Sequence, residues 1–393
     1  MKILFVVSLY HQHVGGIETI ITELSTFYKS QGHSVSVLTK KWPLSLCDFD
    51  TFNDIPIYRV LSAKTDDEFG FVAKRLLEIE DGIKADVVHL VGLRRPMGLF
   101  ALAMARRWGV PLIASVGGGE LPEQNDKKSE SVWKQSKDIA IPVIKQADWN
   151  VTFSNDLVEL IKENVDSNIT ADVIYAGIDL GFIDNTPKKE YSRDFIFSAR
   201  RLDWSKAVDM TVDAFAAIAN DYPDLDLLVA GVGDQEYSLK SLVKLYNLEG
   251  RVKFLGSLPL DEVIGWLKSA YVSVIPSRSE GGGLINLEAQ ACGCPIVGSR
   301  AAGISEYTKE NSTSLLFDVG DLNTYIKHLK NILDNPDLQK KLSKNGREFT
   351  RGFSWDNIAL KYINGYFTNR EDAKNKKFIN WSNQSKIVWS ILK

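Results

Sequence analysis

Pro276-Ser277-Arg278-Ser279-Glu280-Gly281-Gly282-Gly283-Leu284-Ile285-Asn286-Leu287-Glu288-Ala289 is the stretch on which the reading of this chain turns. Tyr271 to Pro276 is a short apolar run that predicts a strand, and a helical pattern begins near Leu284. Three glycines stand between them. Glycines at a helix start leave the first N–H groups open to an anion or a sugar hydroxyl. Glu280 lies just before the helix, and Glu288 about one turn into it. A carboxylate accepts from two neighbouring hydroxyls, which is how a ribose or hexose ring is held. From these residues alone two readings stand: a ligand loop, and an ordinary capped helix with one buried acid.

Working outward, strand and helix signals alternate. Ile3 to Val7 predicts a strand, followed by Gly15-Gly16 and an amphipathic stretch from Ile17 to Tyr28. Val35 to Leu38 and Val87 to Val91 are further strands, Met97 to Trp108 a helix, and Pro111 to Val116 a strand running into Gly117-Gly118-Gly119. A second series starts near Asp194, with strands at Phe195 to Ala199, Leu225 to Ala230, Val252 to Leu255, Tyr271 to Pro276 and Pro295 to Gly298. Such repetition builds parallel sheets with helices on both faces, an α/β fold. The polar stretch Asp184 to Arg193 is the linker candidate, which divides the chain into 1–187 and 188–374. A last helix over about 375–393, with Phe378, Ile379, Trp381, Ile387, Val388 and Ile391, is expected to pack back on the N-terminal domain. Each glycine-rich loop follows a strand, where doubly wound folds bind ligands. Two such sheets facing across a cleft would aim the loops at one shared site.

The chain has 393 residues and a net charge of −3, so it lacks a basic nucleic-acid footprint. Three cysteines, an odd number at spacings unlike a metal site, fit a reducing cytosol. The first apolar run is short and leads into His11-Gln12-His13-Val14, so it reads as a buried strand and not a signal peptide. No run of about 18 apolar residues predicts a membrane-spanning helix. Two features bear on a membrane surface. Arg94-Arg95 and Arg106-Arg107 bracket the apolar stretch Met97 to Ala105, which is either a core helix with charged ends or a face resting on lipid. Lys374, Lys376 and Lys377 are either a solvated helix face or a patch drawn to anionic lipid.

The quoted stretch continues Gln290-Ala291-Cys292-Gly293-Cys294-Pro295, and the whole resembles P-S-x-x-E-G-x-G-L-x-x-x-E-A-x-A-x-G-x-P, the hallmark of retaining glycosyltransferases of family 4. Gly303-Ile304-Ser305-Glu306 is similar to that family's G-G-I-P-E turn. Phe197-Ser198-Ala199-Arg200-Arg201-Leu202-Asp203-Trp204-Ser205-Lys206 resembles its G-R-L-x-x-x-K-G, with Arg200 in place of the first glycine and Ala207 in place of the last. The resemblance implies a GT-B fold, with the donor on the C-terminal domain and the acceptor on the N-terminal one. It implies that Glu288 bonds the nucleotide ribose and that Glu280 faces the donor sugar. Gly281, Gly282, Gly283, Leu284 and Ile285 would line sugar and phosphate, with Gly231 and Gly16 as further donor contacts. Arg201 and Lys206 would bind the diphosphate, one as a fork of donors and the other as a point charge. Their charge would stabilise the departing nucleoside diphosphate.

Near the acceptor, Gly117 stands where many relatives carry His or Arg, and Gly118 and Glu120 follow it. Glu120 either holds an acceptor hydroxyl or caps a helix. His11 and His13, in the loop after the first strand, read as acceptor contacts or plain loop and not as metal ligands. Asp224-Leu225-Asp226 looks like the D-x-D of metal-dependent transferases but sits at the amino end of a strand, away from the ligand side.

The implied reaction is transfer of a hexose-type sugar, with retention, from a nucleotide sugar to a glycan or lipid-linked acceptor. The implied setting is cytoplasmic synthesis of a surface polysaccharide or glycolipid, reaching the inner face of the membrane. No metal or cofactor is expected, the nucleotide sugar being a substrate. The alternatives are an epimerase or hydrolase of the same fold, and a non-catalytic nucleotide-sugar binder.

Overall fold

The structure, a computed structural model, describes all of the chain except residues 12–14, 123–125, 281–282 and the side chain of residue 302. The described chain forms two compact units, the first Met1–Ala176 with Trp355–Lys393 and the second Gly177–Ser354.

The first unit holds β1 (Lys2–Val7), β2 (Ser34–Lys40), β3 (Phe49–Phe52), β4 (Ile55–Val60), β5 (Val87–Val91), β6 (Leu112–Val116), β7 (Trp149–Thr152) and β8 (Asp172–Val173). They form one sheet in the order β3-β4-β2-β1-β5-β6-β7-β8. All neighbours are parallel except β3 and β4. The central strands are continuous apolar runs because helices cover both faces: in β1 Ile3 to Val7 are buried, in β5 and β6 every residue. The chain order reverses at β1, which pairs with β2 on one side and β5 on the other. Loops after β1 and β5 therefore leave at the ligand edge of this sheet.

Helix Met97–Trp108 is buried from Met97 to Arg106 and packs against β5, so the bracketed apolar stretch is core and offers no face to lipid. Three of its four flanking arginines answer to acids. Arg106 bonds Asp148 at 2.8 Å, Arg107 forks onto Glu80 at 2.7 and 2.9 Å, and Arg95 meets Asp138. The Arg107 hydrogen bond holds the Glu80 carboxyl down at about 2. Of the three C-terminal lysines, Lys374 pairs with Glu371 and Lys376 with Asp148. Among the described residues no helix is long and apolar enough to cross a membrane.

Helix Asn383–Leu392, opened by the reciprocal Ser382–Ser385 capping box, packs on helix Asp66–Glu78 of the first unit, with Gln384 donating to Asp66 at 2.6 Å. The C-terminal helix thus returns to the N-terminal domain as expected. The return begins earlier than about residue 375, at Trp355. Helix Trp355–Thr368 lies on helix Gly16–Ser30, and its Tyr366 hydroxyl meets His89 Nδ1 at 2.7 Å inside the core. Burial lowers the His89 pKa to about 3, so this imidazole is neutral, and its Nε2 meets Ser115 at 2.7 Å. At the other crossing the chain enters the second unit at Gly177, ahead of the polar stretch 184–193. Those residues are tied to the second unit, as where Lys189 N–H donates to the Gly265 carbonyl at 3.0 Å. Their polarity marks an exposed segment, not a boundary.

The second unit holds β9 (Asp194–Ala199), β10 (Leu225–Ala230), β11 (Val252–Gly256), β12 (Val272–Ile275), β13 (Ile296–Ser299) and β14 (Ser314–Phe317). They form a wholly parallel sheet in the order β11-β10-β9-β12-β13-β14. This is a doubly wound order whose reversal falls between β9 and β12.

Candidate active site

The reversal places two loops side by side at the carboxyl edge of the second sheet: 200–207 after β9 and 276–283 after β12. They are stitched together. Arg278 N–H donates to the Ser205 carbonyl at 2.8 Å, and its guanidinium donates to the Trp204 carbonyl and grips Asp209 at 2.9 and 2.6 Å. From behind, Ser299 Oγ donates to the Ser277 carbonyl at 2.6 Å and Gly303 N–H to the Glu280 carbonyl at 2.8 Å.

This frame holds Glu280. One oxygen, Oε2, accepts from Arg200, from Lys206 Nζ at 3.1 Å and from Ser277 Oγ at 3.2 Å. Burial alone would push the carboxyl up. The Lys206 and Arg200 charges outweigh it and hold the group at about 2. The Arg200 side chain is only 3% exposed, and its Nη2 also donates to Ser277 at 2.5 Å. Burial lowers the Arg200 pKa, an effect that Glu280 opposes.

Lys206, expected at the diphosphate, and Glu280, expected at the donor sugar, are in contact. Arg201 is elsewhere, 63% exposed and paired with Asp203 at 3.0 Å. Arg200 and Ser277 are the residues that the sequence reading missed. The hydrogen-bond ladder explains the choice between neighbouring arginines. Arg200 N–H bonds the Ala230 carbonyl and Leu202 N–H that of Val232, so the chain stays extended beyond β9. Alternation then turns Arg200 and Leu202 inward and Arg201 out.

Helix Leu284–Ala291 opens this side of the site. Its cap Gly283 has φ +49°, and a Cβ there would sit 2.2 Å from the Asn286 amide nitrogen, so only glycine fits. Among the described residues no side chain caps this helix start, and Leu284 and Ile285 remain partly exposed there. Gly281 and Gly282 lie outside the described residues. Glu288, one turn in, keeps some exposure, and among the described residues nothing donates a hydrogen bond to its carboxylate or pairs with it. Burial pushes this carboxyl up to about 7.

Gly231 serves the frame. It has φ +130°, and a Cβ there would lie 1.7 Å from the Arg200 carbonyl oxygen. Gly231→Ala is expected to lower the stability of the second unit by about 3 kcal/mol, from overpacking and a forbidden φ together. A urea titration checks this, and a change below about 0.5 kcal/mol, the level of a neutral surface substitution, would sink it.

In the first unit the candidates follow β1 and β6. Gly16 is the first residue of helix Gly16–Ser30. His11, at φ +49°, stacks on Phe52 with ring centroids 4.3 Å apart, and His13 lies outside the described residues. Glu120 is buried, and its Oε2 accepts Leu93 N–H at 3.0 Å and Gly117 N–H at 3.3 Å, tying the loop after β6 to that after β5. Burial raises its pKa against those hydrogen bonds. Gly118 is exposed beside it. Asp226, at the amino end of β10, accepts from Tyr191 at 2.7 Å and pairs with Arg193 and Arg251, a structural role.

Comparison with known proteins covers both units. Residues 14–182 match the Glycosyltransferase Family 4 description, and residues 182–349 match Glycosyl transferases group 1. The chain is 26% identical over 380 residues to N-acetyl-alpha-D-glucosaminyl L-malate synthase of Bacillus anthracis, covering 93% of this chain and 97% of that one. It is 28% identical over 287 residues to a D-inositol 3-phosphate glycosyltransferase of an Arthrobacter species, covering 68% of each. Among solved structures, sucrose-phosphate synthase of Thermosynechococcus elongatus superposes with a TM-score of 0.78 at 19% identity, over 94% of this chain and 99% of that one. The Anabaena protein HepE in complex with UDP-glucose superposes with a TM-score of 0.72 at 17% identity, over 94% and 100%. These two likenesses establish the fold, two Rossmann-like α/β domains of the GT-B kind.

Proposed function

Because the chain belongs to glycosyltransferase family 4, we propose that it moves a hexose-type sugar from a nucleoside-diphosphate sugar to a hydroxyl of a glycan or lipid-linked acceptor, with retention. The observation that carries this reading is the contrast between its two carboxylates. Glu280 is held ionised by two cations, ready to accept from a sugar hydroxyl. Glu288, seven residues intervening, is an acceptor without a donor among the described residues, which the paired hydroxyls of a ribose would supply. HepE is a protein of the same fold that binds UDP-glucose, which supports a nucleotide sugar as donor.

The chemistry follows from what each group can do. Lys206 and the exposed Arg201 neutralise the diphosphate as it departs, with N–H groups at the start of helix Leu284–Ala291 beside them. The glycosidic C–O bond to the phosphate breaks, and the acceptor oxygen bonds the anomeric carbon on the same face. The acceptor proton passes to the leaving phosphate oxygen. Glu280 orients the sugar through its hydroxyls and takes no proton, since its carboxyl is held at about 2. The expected setting is surface polysaccharide or glycolipid synthesis at the inner face of the membrane. A surface feature consistent with a lipid-linked acceptor is the loop after β2, where Trp42 and Leu44 stand exposed beside Lys41.

The test is a panel of UDP-, GDP-, ADP- and dTDP-sugars with the purified protein, with and without simple sugar acceptors. Acceptor-dependent nucleotide release from one donor, undiminished by EDTA, is expected. Isomerised sugar or release indifferent to acceptor would make the protein an epimerase or hydrolase. Thermal stabilisation by a nucleotide without any turnover would make it a binder.

A further inference from the structure

Three donors converge on Glu280 Oε2, and two of them are cations. No described residue donates to Oε1. The two cations are placed differently. Lys206 is 13% exposed, on a flexible stem that also reaches the Ser279 carbonyl at 3.4 Å. Arg200 is 3% exposed, its backbone is fixed to Ala230, and its Nη2 bonds Ser277 and Glu280 together. Its Nε and Nη1 are buried with no hydrogen-bond partner among the described residues. Arg200 thus has nowhere else to go, while Lys206 has. Gly231 closes the other side, backbone to backbone, against the Arg200 carbonyl.

We propose that Arg200 is a positioning residue for the donor sugar: it fixes Glu280 through Oε2, presents Oε1 to a sugar hydroxyl, and leaves Lys206 free to turn to the diphosphate. This rests on the transferase reading of the same site. It also gives a purpose to an arginine at the motif position where the family pattern has glycine. With Arg200 on the acid, Lys206 need not hold Glu280 and can join Arg201 at the diphosphate. The charged groups acting on Glu280 are Lys206 and Arg200, and those acting on Arg200 are Glu280, Asp203 and Arg201.

Arg200→Met and Arg200→Lys test it against the wild type, using the sugar nucleotide that the wild type turns over. At saturating donor, Arg200→Met is expected to lower kcat at least tenfold, with the donor KM changed less than about threefold. Its kcat should acquire an acid limb at least one pH unit above that of the wild type, because a buried carboxyl with one cation fewer protonates earlier. Arg200→Lys keeps the charge without the fork. It should keep the wild-type limb and lose kcat severalfold. A kcat profile of Arg200→Met that coincides with the wild type, or a loss confined to KM, would overturn the proposal. A second arm needs no substrate. The difference in melting temperature between the wild type and Arg200→Met should be largest near pH 8 and shrink as the pH falls toward 4, where the variant's Glu280 gains its proton. A constant difference would mean that Arg200 only fills space. Should no donor be turned over while that difference does shrink, the transferase reading fails and the hold of Arg200 on Glu280 stands. Should Arg200→Met fail to fold, Arg200→Lys decides by its kcat, and an unchanged kcat refutes the proposal.

Discussion

Glu280→Ala should lower the melting temperature of the second unit by about 10 °C and reduce transfer by about 10²–10³-fold. The thermal loss arises from what is left behind. Without the carboxylate, the Arg200 guanidinium keeps, among the described residues, only Ser277 as a partner, in a setting where two of its nitrogens already lack one. Breaking a buried ion pair by deleting one member costs about 3–5 kcal/mol, since the other charge stays desolvated. In a domain of this size each kcal/mol is worth roughly 2–4 °C. Lys206 moderates the loss, because the deletion also frees it toward solvent. Activity and stability therefore fall together, and the single variant cannot apportion them. The double variant Glu280→Ala/Arg200→Ala removes both charges. It should recover most of the melting temperature and none of the transfer. Calorimetry of the three proteins checks this. A single variant that melts within about 2 °C of the wild type would show that water, not Glu280, compensates Arg200.

Nucleotide binding should weaken as the pH falls below about 7, and Glu288 is the reason. In the empty protein burial holds its carboxyl at about 7. A ribose that donates two hydrogen bonds favours the carboxylate, so binding competes with the proton. Between pH 7.5 and 5.5 the ionised fraction of such a group falls on the order of 20-fold, and the affinity for UDP should fall with it. Titrations near pH 6.5 in buffers of different ionisation enthalpy should register proton release on binding. Glu288→Gln should bind weakly and with no such pH dependence. An affinity for UDP that is flat across this range in the wild type would remove Glu288 from the ribose site. The stability of the empty protein runs the opposite way. A carboxyl raised in the folded state stabilises below its unfolded value near 4.5, and that contribution is lost as the pH rises through 7.

Much of this site is legible in local sequence. Strand, glycine, helix is a punctuation that each segment carries by itself, and it puts Glu280 and Gly283 on one loop, Glu288 in the helix that follows and Lys206 on the neighbouring loop. The doubly wound order also follows from strand–helix alternation, since parallel strands need long crossovers. What could not be read locally depends on pairing at a distance. Arg200 and Arg201 are chemically alike, and only the rung from Arg200 to Ala230 decides which faces Glu280. Met97 to Ala105 has the composition of a lipid-facing patch, and only burial from Met97 to Arg106 assigns it to the core. The unit boundary is hidden in composition for the same reason. The polar run 184–193 resembles a linker in composition, whereas the actual return at Trp355 carries apolar aromatic residues, Tyr362 and Tyr366, that belong to the first core.

The double crossing at 176/177 and 354/355 has a consequence for how the protein is made. The second unit is one continuous segment, so it can complete its contacts as soon as residue 354 leaves the ribosome. The first unit cannot. Its sheet is finished by residue 173, but helix Trp355–Thr368 and helix Asn383–Leu392 come from the last stretch to be translated. Until then Tyr28, His89 and the outer side of helix Asp66–Glu78 wait uncovered. The N-terminal half is thus the last to mature, and a nascent chain stalled before residue 355 would carry a finished second unit and, on its unfinished first unit, an apolar surface open to chaperones.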